Sequence, residues 1–140
     1  FVYDKLIENN LEPSKKTGKE QLLRRLTIDL TGLIPTVSEL NSFLNDTSPN
    51  AYEKVVDRLL HTNAHAERLT TEWLDVARYS DSHGYHADGS RMMWPWRDWV
   101  IKAFQNNMSY KDFVTEQLAG DLMPNATKEQ VLALRLKVLL

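Results

Sequence analysis

Side chains that can bind metals are concentrated in the segment 79–98, which reads YSDSHGYHADGSRMMWPWRD. Two carboxylates and two imidazoles lie within eight positions there, at Asp81, His83, His86 and Asp88. Nitrogen and oxygen ligands of this kind suit zinc, manganese or iron. The spacing matches neither the HExxH pattern of zinc helices nor the DxDxDG loop of calcium sites. A metal site is therefore one hypothesis, and histidines hydrogen-bonded to loop carbonyls are the structural alternative.

Acid–base catalysis is a second hypothesis for the same segment, with Asp81, His83 and Asp98 as candidate residues. A general acid and a general base must both come within hydrogen-bond reach of one reacting bond. The sequence supplies the residue types but does not show that any two of them converge. In the structural alternative, Asp98 is only a carboxylate stabilised by the first turn of a helix.

Ligand binding without catalysis is a third hypothesis. Aromatic rings can stack on a sugar or another flat ligand, and arginine can pair with a carboxylate or sulfate through two hydrogen bonds. The candidate ligand-binding residues are Asp81, Tyr85, Trp94, Arg97 and Asp98. Trp96 and Trp99 are three positions apart, so we expect them in the core instead. Trp94 precedes a proline and is expected at a rim.

Helix signals surround this segment, and strict apolar/polar alternation is almost missing, so the sequence predicts an all-α fold of about seven helices. Two capping boxes are predicted at Thr17 with Glu20 and at Thr36 with Glu39, and Thr127 with Gln130 marks the last helix start. Further starts are predicted at Ser48–Pro49, Asn63, Pro95 and Ser109.

The helix that follows Asn63 is expected to run to about Ser80, with Leu69, Trp73, Val76 and Ala77 on its buried face. Between the helices, the long segment 81–94 is expected to be an ordered loop, and loops of that length are often functional.

Composition narrows the function classes. The chain has 140 residues and a formal net charge of −2, and it lacks the surplus of Lys and Arg that phosphate neutralisation needs, so nucleic acid is not an expected partner. The absence of cysteine excludes disulfides and thiolate metal sites. No apolar run is long enough to span a membrane.

We expect a single helical domain over residues 1–140. A chain that starts at Phe1 and stops inside an apolar pattern is expected to be part of a longer protein.

Four long stretches carry a family resemblance, in order and spacing: LLRRLTIDLTGLIPT, AYEKVVDRLL, ERLTTEWLDVARYSDSHGY and WPWRDWVIKAFQNNMSYKDFVTEQLAGDLMPNAT. Together they resemble the cytochrome-associated domain of unknown function found in large planctomycete proteins and in related bacteria. The positions in the segment 79–98 that match the family pattern are Asp81, Gly84, Tyr85, Trp94, Pro95, Arg97 and Asp98. His83 stands where that pattern carries Asn, so the resemblance favours the aspartates over the histidines.

The resemblance implies a context more than a mechanism. Such domains follow a cytochrome c-like module in large exported proteins, so haem is expected only in a neighbouring module and no cofactor in this chain. The resemblance further implies export to the periplasm or beyond, neighbouring domains of the same chain as partners, and a link to polysaccharide breakdown with carbohydrate as a ligand. The leading hypothesis is a helical binding or scaffold module with a polar, aromatic pocket. The alternatives are an enzyme acting on a carbohydrate and a structural spacer for the haem module.

Overall fold

Helices account for nearly all regular structure in the computed structural model of the protein, which describes residues 1–84 and 88–134. Within those residues the α-helices are α1 (Val2–Glu8), α2 (Lys19–Thr31), α3 (Val37–Asn45), α4 (Ala51–Leu60), α5 (Asn63–Val76), α6 (Trp94–Gln105), α7 (Tyr110–Ala119) and α8 (Lys128–Ala133), with a 3₁₀ turn at Gly120–Leu122. The predicted all-α class is confirmed. The described part of the chain has one helix more than the seven expected.

Side-chain caps fix several helix starts as the sequence predicts. Thr36 and Glu39 form a complete capping box at α3, and Thr127 and Gln130 form another at α8. The hydroxyl of Ser109 accepts a hydrogen bond from the backbone of Asp112 at the start of α7. At the end of α2, Gly32 takes the left-handed conformation, with φ of 73°. This conformation ends many helices, and glycine adopts it without the steric cost that a Cβ brings.

Three predicted helix starts are wrong in detail. The hydroxyl of Thr17 bonds to Gln21, so α2 begins after Gly18 without a side-chain cap. Pro49 precedes α4 instead of entering it, because Asp46 accepts hydrogen bonds from Ser48 and holds that stretch as a turn. The cap of α5 is Thr62 and not Asn63.

The end of α5 also differs from the expectation, and the reason bears on the site. Arg78 adopts φ of 53°, and the N–H of Tyr79 bonds to the carbonyl of Leu74 at 2.9 Å. With the bond from Arg78 to Asp75, this is the Schellman geometry that stops a helix. The helix therefore ends at Val76, which is 74% exposed instead of buried, and the chain turns at Arg78.

Two clusters of buried residues form the interior. The larger one lies where α6 packs on α5, α7 and α8, and its buried members are Ala77, Trp96, Trp99, Val100, Ala103, Phe113 and Ala133. The smaller one joins α2, α3 and α4 through Leu23, Phe43 and Ala51. The expectation that Trp96 and Trp99 are core residues is confirmed, because they are 0% and 4% exposed.

Helices α5 and α6 are antiparallel neighbours. Asn63 at the start of α5 accepts a hydrogen bond from Gln105 at the end of α6, and Tyr79, just beyond the end of α5, stacks on Trp96 in the first turns of α6. The segment between the two helices must therefore form a return at one end of the pair. That return is the segment that holds the predicted site residues.

Candidate functional site

Within the described residues, the two arms of the return between α5 and α6 pair as a short hairpin. Ser82 and Ser90 form an antiparallel β-bridge, the N–H of Arg91 donates to the carbonyl of Asp81 at 2.7 Å, and the N–H of His83 donates to Gly89 at 3.1 Å. The apolar/polar alternation in this part of the sequence is too short to predict the pairing. Residues 85–87 lie outside the described residues, so the predictions for Tyr85 and His86 stay predictions.

Asp88 helps to close the hairpin. Its carboxylate accepts a hydrogen bond from the backbone N–H of Gly84 at 2.8 Å, where Gly84 has φ of 72°. This bond, and a second from Ser82, lower the pKa of Asp88. A carboxylate that already accepts two bonds from the hairpin has a structural role sufficient to explain its presence.

Asp81 begins the hairpin and is paired with a tyrosine. The phenol of Tyr79 donates to Oδ1 of Asp81 at 2.5 Å, and the Tyr79 ring stacks on Trp96 with 6.1 Å between ring centroids. Partial burial and this hydrogen bond raise the pKa of Tyr79 to about 12. Tyr79 therefore stays a neutral donor that orients the Asp81 carboxylate. Sequence reasoning missed Tyr79 as a site residue. The signal that could have found it is its position two residues before Asp81.

The first turns of α6 bring three of the predicted residues onto one helix face. Trp94, Arg97 and Asp98 are spaced i, i+3 and i+4, which places neighbouring side chains together on a helix. The Arg97 guanidinium donates to Oδ1 of Asp98 from Nε at 3.3 Å and from a terminal nitrogen at 3.2 Å. Trp94 is the first residue of the helix, one position earlier than predicted, and is 50% exposed as expected of a rim residue.

Arg97 links this helix face to the hairpin electrostatically. Partial burial by itself would lower the pKa of Arg97, but the hydrogen bond to Asp98 and the proximity of Tyr79 and Asp81 raise it. Arg97 therefore bonds directly to Asp98 and acts on Asp81 through charge. We call the group Tyr79, Asp81, Trp94, Arg97 and Asp98 the hairpin corner.

Among the described residues, no group of three or more His, Asp or Glu side chains lies close enough to hold a metal ion. Asp81, His83 and Asp88 therefore do not form such a group by themselves. His86 lies outside the described residues, so the four-residue metal set stays a prediction. In the described hairpin, Asp81 is engaged by Tyr79 and Asp88 by Gly84.

The catalytic candidates lie at the same end of the α5–α6 pair, but the hydrogen bonds of the two aspartates go to other residues. Asp81 bonds to Tyr79 and Asp98 bonds to Arg97, while the His83 side chain is exposed at the hairpin. Asp98 is also past the first turn of α6, because that helix begins at Trp94. The acid–base hypothesis for Asp81, His83 and Asp98 stays a prediction.

A second concave region lies at the opposite end of the α5–α6 pair. It is a cleft of about 570 Å³ whose lining residues come from α4, α5, α6 and α7 and from their connections, and it includes His61, His65 and Trp73. The sequence reasoning did not identify it. Its residues are scattered between positions 60 and 113, so no local motif marks the cleft.

The comparisons with known proteins give one family. A family model described as PSCyt2, a protein of unknown function (DUF1549), matches residues 1–138. The chain belongs to this family. The family resemblance read from the four sequence stretches is thereby confirmed, and it brings no established activity with it. No curated protein and no solved structure matches the chain.

In the described part of the chain, none of the helices has the length and the apolar content that crossing a bilayer requires.

Proposed function

We propose that the chain is a carbohydrate-binding module within a larger, exported, cytochrome-associated protein, and that the hairpin corner is its ligand site. The observation that carries the proposal is the half-exposed ring of Trp94 on the same helix face as Arg97 and Asp98. An aromatic face beside fixed carboxylate and guanidinium groups offers a sugar both a stacking surface and hydrogen-bond partners for its hydroxyls.

The charges of the hairpin corner favour a neutral sugar. The corner holds two carboxylates, Asp81 and Asp98, against the single guanidinium of Arg97, which already donates to Asp98. An acidic sugar or a sulfated sugar would bring a further negative charge next to these carboxylates, and like charges repel. We therefore expect neutral oligosaccharides to bind better than uronates.

The hydrogen bonds within the corner support binding because they fix the polar groups before a ligand arrives. Tyr79 holds one oxygen of Asp81, and Arg97 holds one oxygen of Asp98, so each carboxylate keeps a second oxygen for a ligand hydroxyl. Groups that are already oriented lose little conformational entropy on binding.

A neighbouring domain of the same protein is the partner in this proposal. Exposed apolar side chains at the α2–α3 connection support such a contact: Leu33, Ile34 and Val37 are 59%, 71% and 75% exposed. A cluster of exposed apolar residues is typical of a surface that another protein surface covers.

The binding test uses neutral gluco-, xylo- and manno-oligosaccharides, with an oligouronate for comparison, in calorimetric titrations. We expect a neutral series to bind, and Trp94→Ala to weaken it about tenfold, because an aromatic contact and its buried area are lost. Tyr3→Ala is the matched control, since Tyr3 is a 61% exposed aromatic in α1 away from the corner. If Trp94→Ala binds as well as the unchanged chain, or if no saccharide binds, the proposal is wrong.

The enzyme alternative is separated in the same experiment by measuring newly formed reducing ends. Binding without release of reducing ends supports a binding module. Release that Asp81→Asn or Asp98→Asn abolishes would show an enzyme instead. A corner whose substitution alters only stability would favour the structural spacer.

A further inference from the structure

The cleft at the far end of the α5–α6 pair has the dimensions and lining of a small-molecule site. Its volume of about 570 Å³ falls inside the range of roughly 300–1,000 Å³ that is typical of ligand pockets. Its walls are mainly apolar and aromatic, with Leu60, Leu69, Trp73, Phe104, Met108 and Phe113 among the lining residues.

The aromatic wall is rigidly built. The rings of Trp73 and Phe113 meet edge to face with centroids 5.0 Å apart, and Phe104 lies 5.4 Å from Phe113. The indole N–H of Trp73 donates to Gln117 at 3.2 Å, and Gln117 is buried and bonds to the carbonyl of Phe113. The Trp73 indole N–H is therefore already used, and polar recognition must come from other lining residues.

Two histidines supply that recognition, and their hydrogen bonds fix which nitrogen is free. Nδ1 of His61 lies 2.6 Å from the carbonyl of Asp57, and Nδ1 of His65 lies 2.8 Å from the carbonyl of Leu30. A carbonyl oxygen only accepts, so in each neutral ring Nδ1 carries the proton and Nε2 keeps a lone pair. Within the described part of the chain, neither Nε2 has a hydrogen-bond donor.

An apolar, aromatic cleft with imidazole acceptors fits a ligand that combines a ring with a hydroxyl group. We propose that this cleft binds a phenol, with the ring against Trp73, Phe104 and Phe113 and the hydroxyl donating to Nε2 of His61 or His65. A transition metal is the competing occupant of two imidazoles, but no third His, Asp or Glu joins them among the described residues. The proposal is independent of the hairpin corner.

The test compares 4-ethylphenol with ethylbenzene, because the two probes share a ring and an alkyl group and differ in the hydroxyl. Binding is followed by Trp fluorescence and by NMR shifts of the cleft residues. We expect 4-ethylphenol to bind about threefold to tenfold more tightly, which is the range of one net hydrogen bond. The double variant His61→Phe/His65→Phe should retain ethylbenzene binding and lose this preference, whereas His83→Phe in the hairpin should keep it.

Three results would overturn the proposal. They are equal affinity for the two probes, no shift of cleft signals by either probe, and stoichiometric Zn²⁺ binding that His61→Phe/His65→Phe removes and that blocks 4-ethylphenol. If the double variant does not fold, His61→Phe and His65→Phe are measured separately, and at least one of them should weaken the preference for 4-ethylphenol.

Discussion

The two ends of the α5–α6 pair have opposite chemical character. At the hairpin corner, partly or fully exposed charged groups are held by hydrogen bonds between neighbours in sequence, as in Tyr79 with Asp81 and Arg97 with Asp98. At the cleft, apolar walls from several helices are braced by contacts between distant residues, as in Trp73 with Gln117. Residues close together in sequence can therefore build a polar site, while an apolar site of this kind requires the assembled core.

The largest expected effect tests the contact between α8 and the end of α7, a helix that lines the cleft. At Gly120, which follows the cleft helix α7, an added Cβ would lie 2.0 Å from the backbone oxygen of Gln130 in α8. A backbone atom cannot move aside as a flexible side chain can, so Gly120→Ala should destabilise the protein by about 3 kcal/mol. Chemical denaturation measures this loss of unfolding free energy.

Gly18→Ala is the control for that substitution. An added Cβ at Gly18 meets nothing within 4 Å, although the residue precedes α2, where alanine caps less well. We expect a loss below about 1 kcal/mol. Equal losses for the two glycines would show that the contact between the end of α7 and α8 is not a tight one.

A smaller effect separates the histidines of the two regions. His65 is half-buried and its Nδ1 bonds to the carbonyl of Leu30, so it connects α5 to the end of α2. His65→Ala should therefore cost about 1 kcal/mol, and His83→Ala, at an exposed hairpin position, less than about 0.5 kcal/mol. Thermal and denaturant unfolding of both variants measures the difference, and the reverse order would contradict the assignment of His65 as a connecting residue.

A pH dependence of stability is expected at the hairpin corner. Because the pKa of Tyr79 is raised from 10.0 to about 12, the folded state keeps the phenol proton at pH values where the unfolded state has lost it. The stability from this group is fully present below pH 10 and declines as pH rises through about 12.

Tyr79→Phe removes this titration. The unchanged chain should lose stability more steeply than Tyr79→Phe between pH 10 and 12, as followed by denaturant unfolding at each pH. Tyr110→Phe is the control, because Tyr110 is 75% exposed and outside the corner. Parallel curves for the unchanged chain and Tyr79→Phe would show that the bond from Tyr79 to Asp81 does not persist in solution.

Sequence reasoning found the hairpin corner more completely than the cleft. Asp81, Trp94, Arg97 and Asp98 lie close together in the chain, and the helical spacing of the last three predicts one common face. Tyr79 was missed because its role depends on the Schellman turn at Arg78, and a left-handed arginine has no sequence signature. The hairpin was missed because one β-bridge leaves too short a pattern to detect.

By itself, the sequence determined the all-α class, the caps of α3, α7 and α8, and the family, because periodicity, capping residues and long motifs are written in consecutive residues. Only the structure showed where α5 stops and which hydrogen bonds Asp81 and Arg97 make, and only tertiary packing decided that His61 and His65 share a cleft with Phe104 and Phe113. The physical reason is that caps and amphipathic faces are short-range properties of the chain. Clefts and ring contacts arise only when helices far apart in sequence pack together.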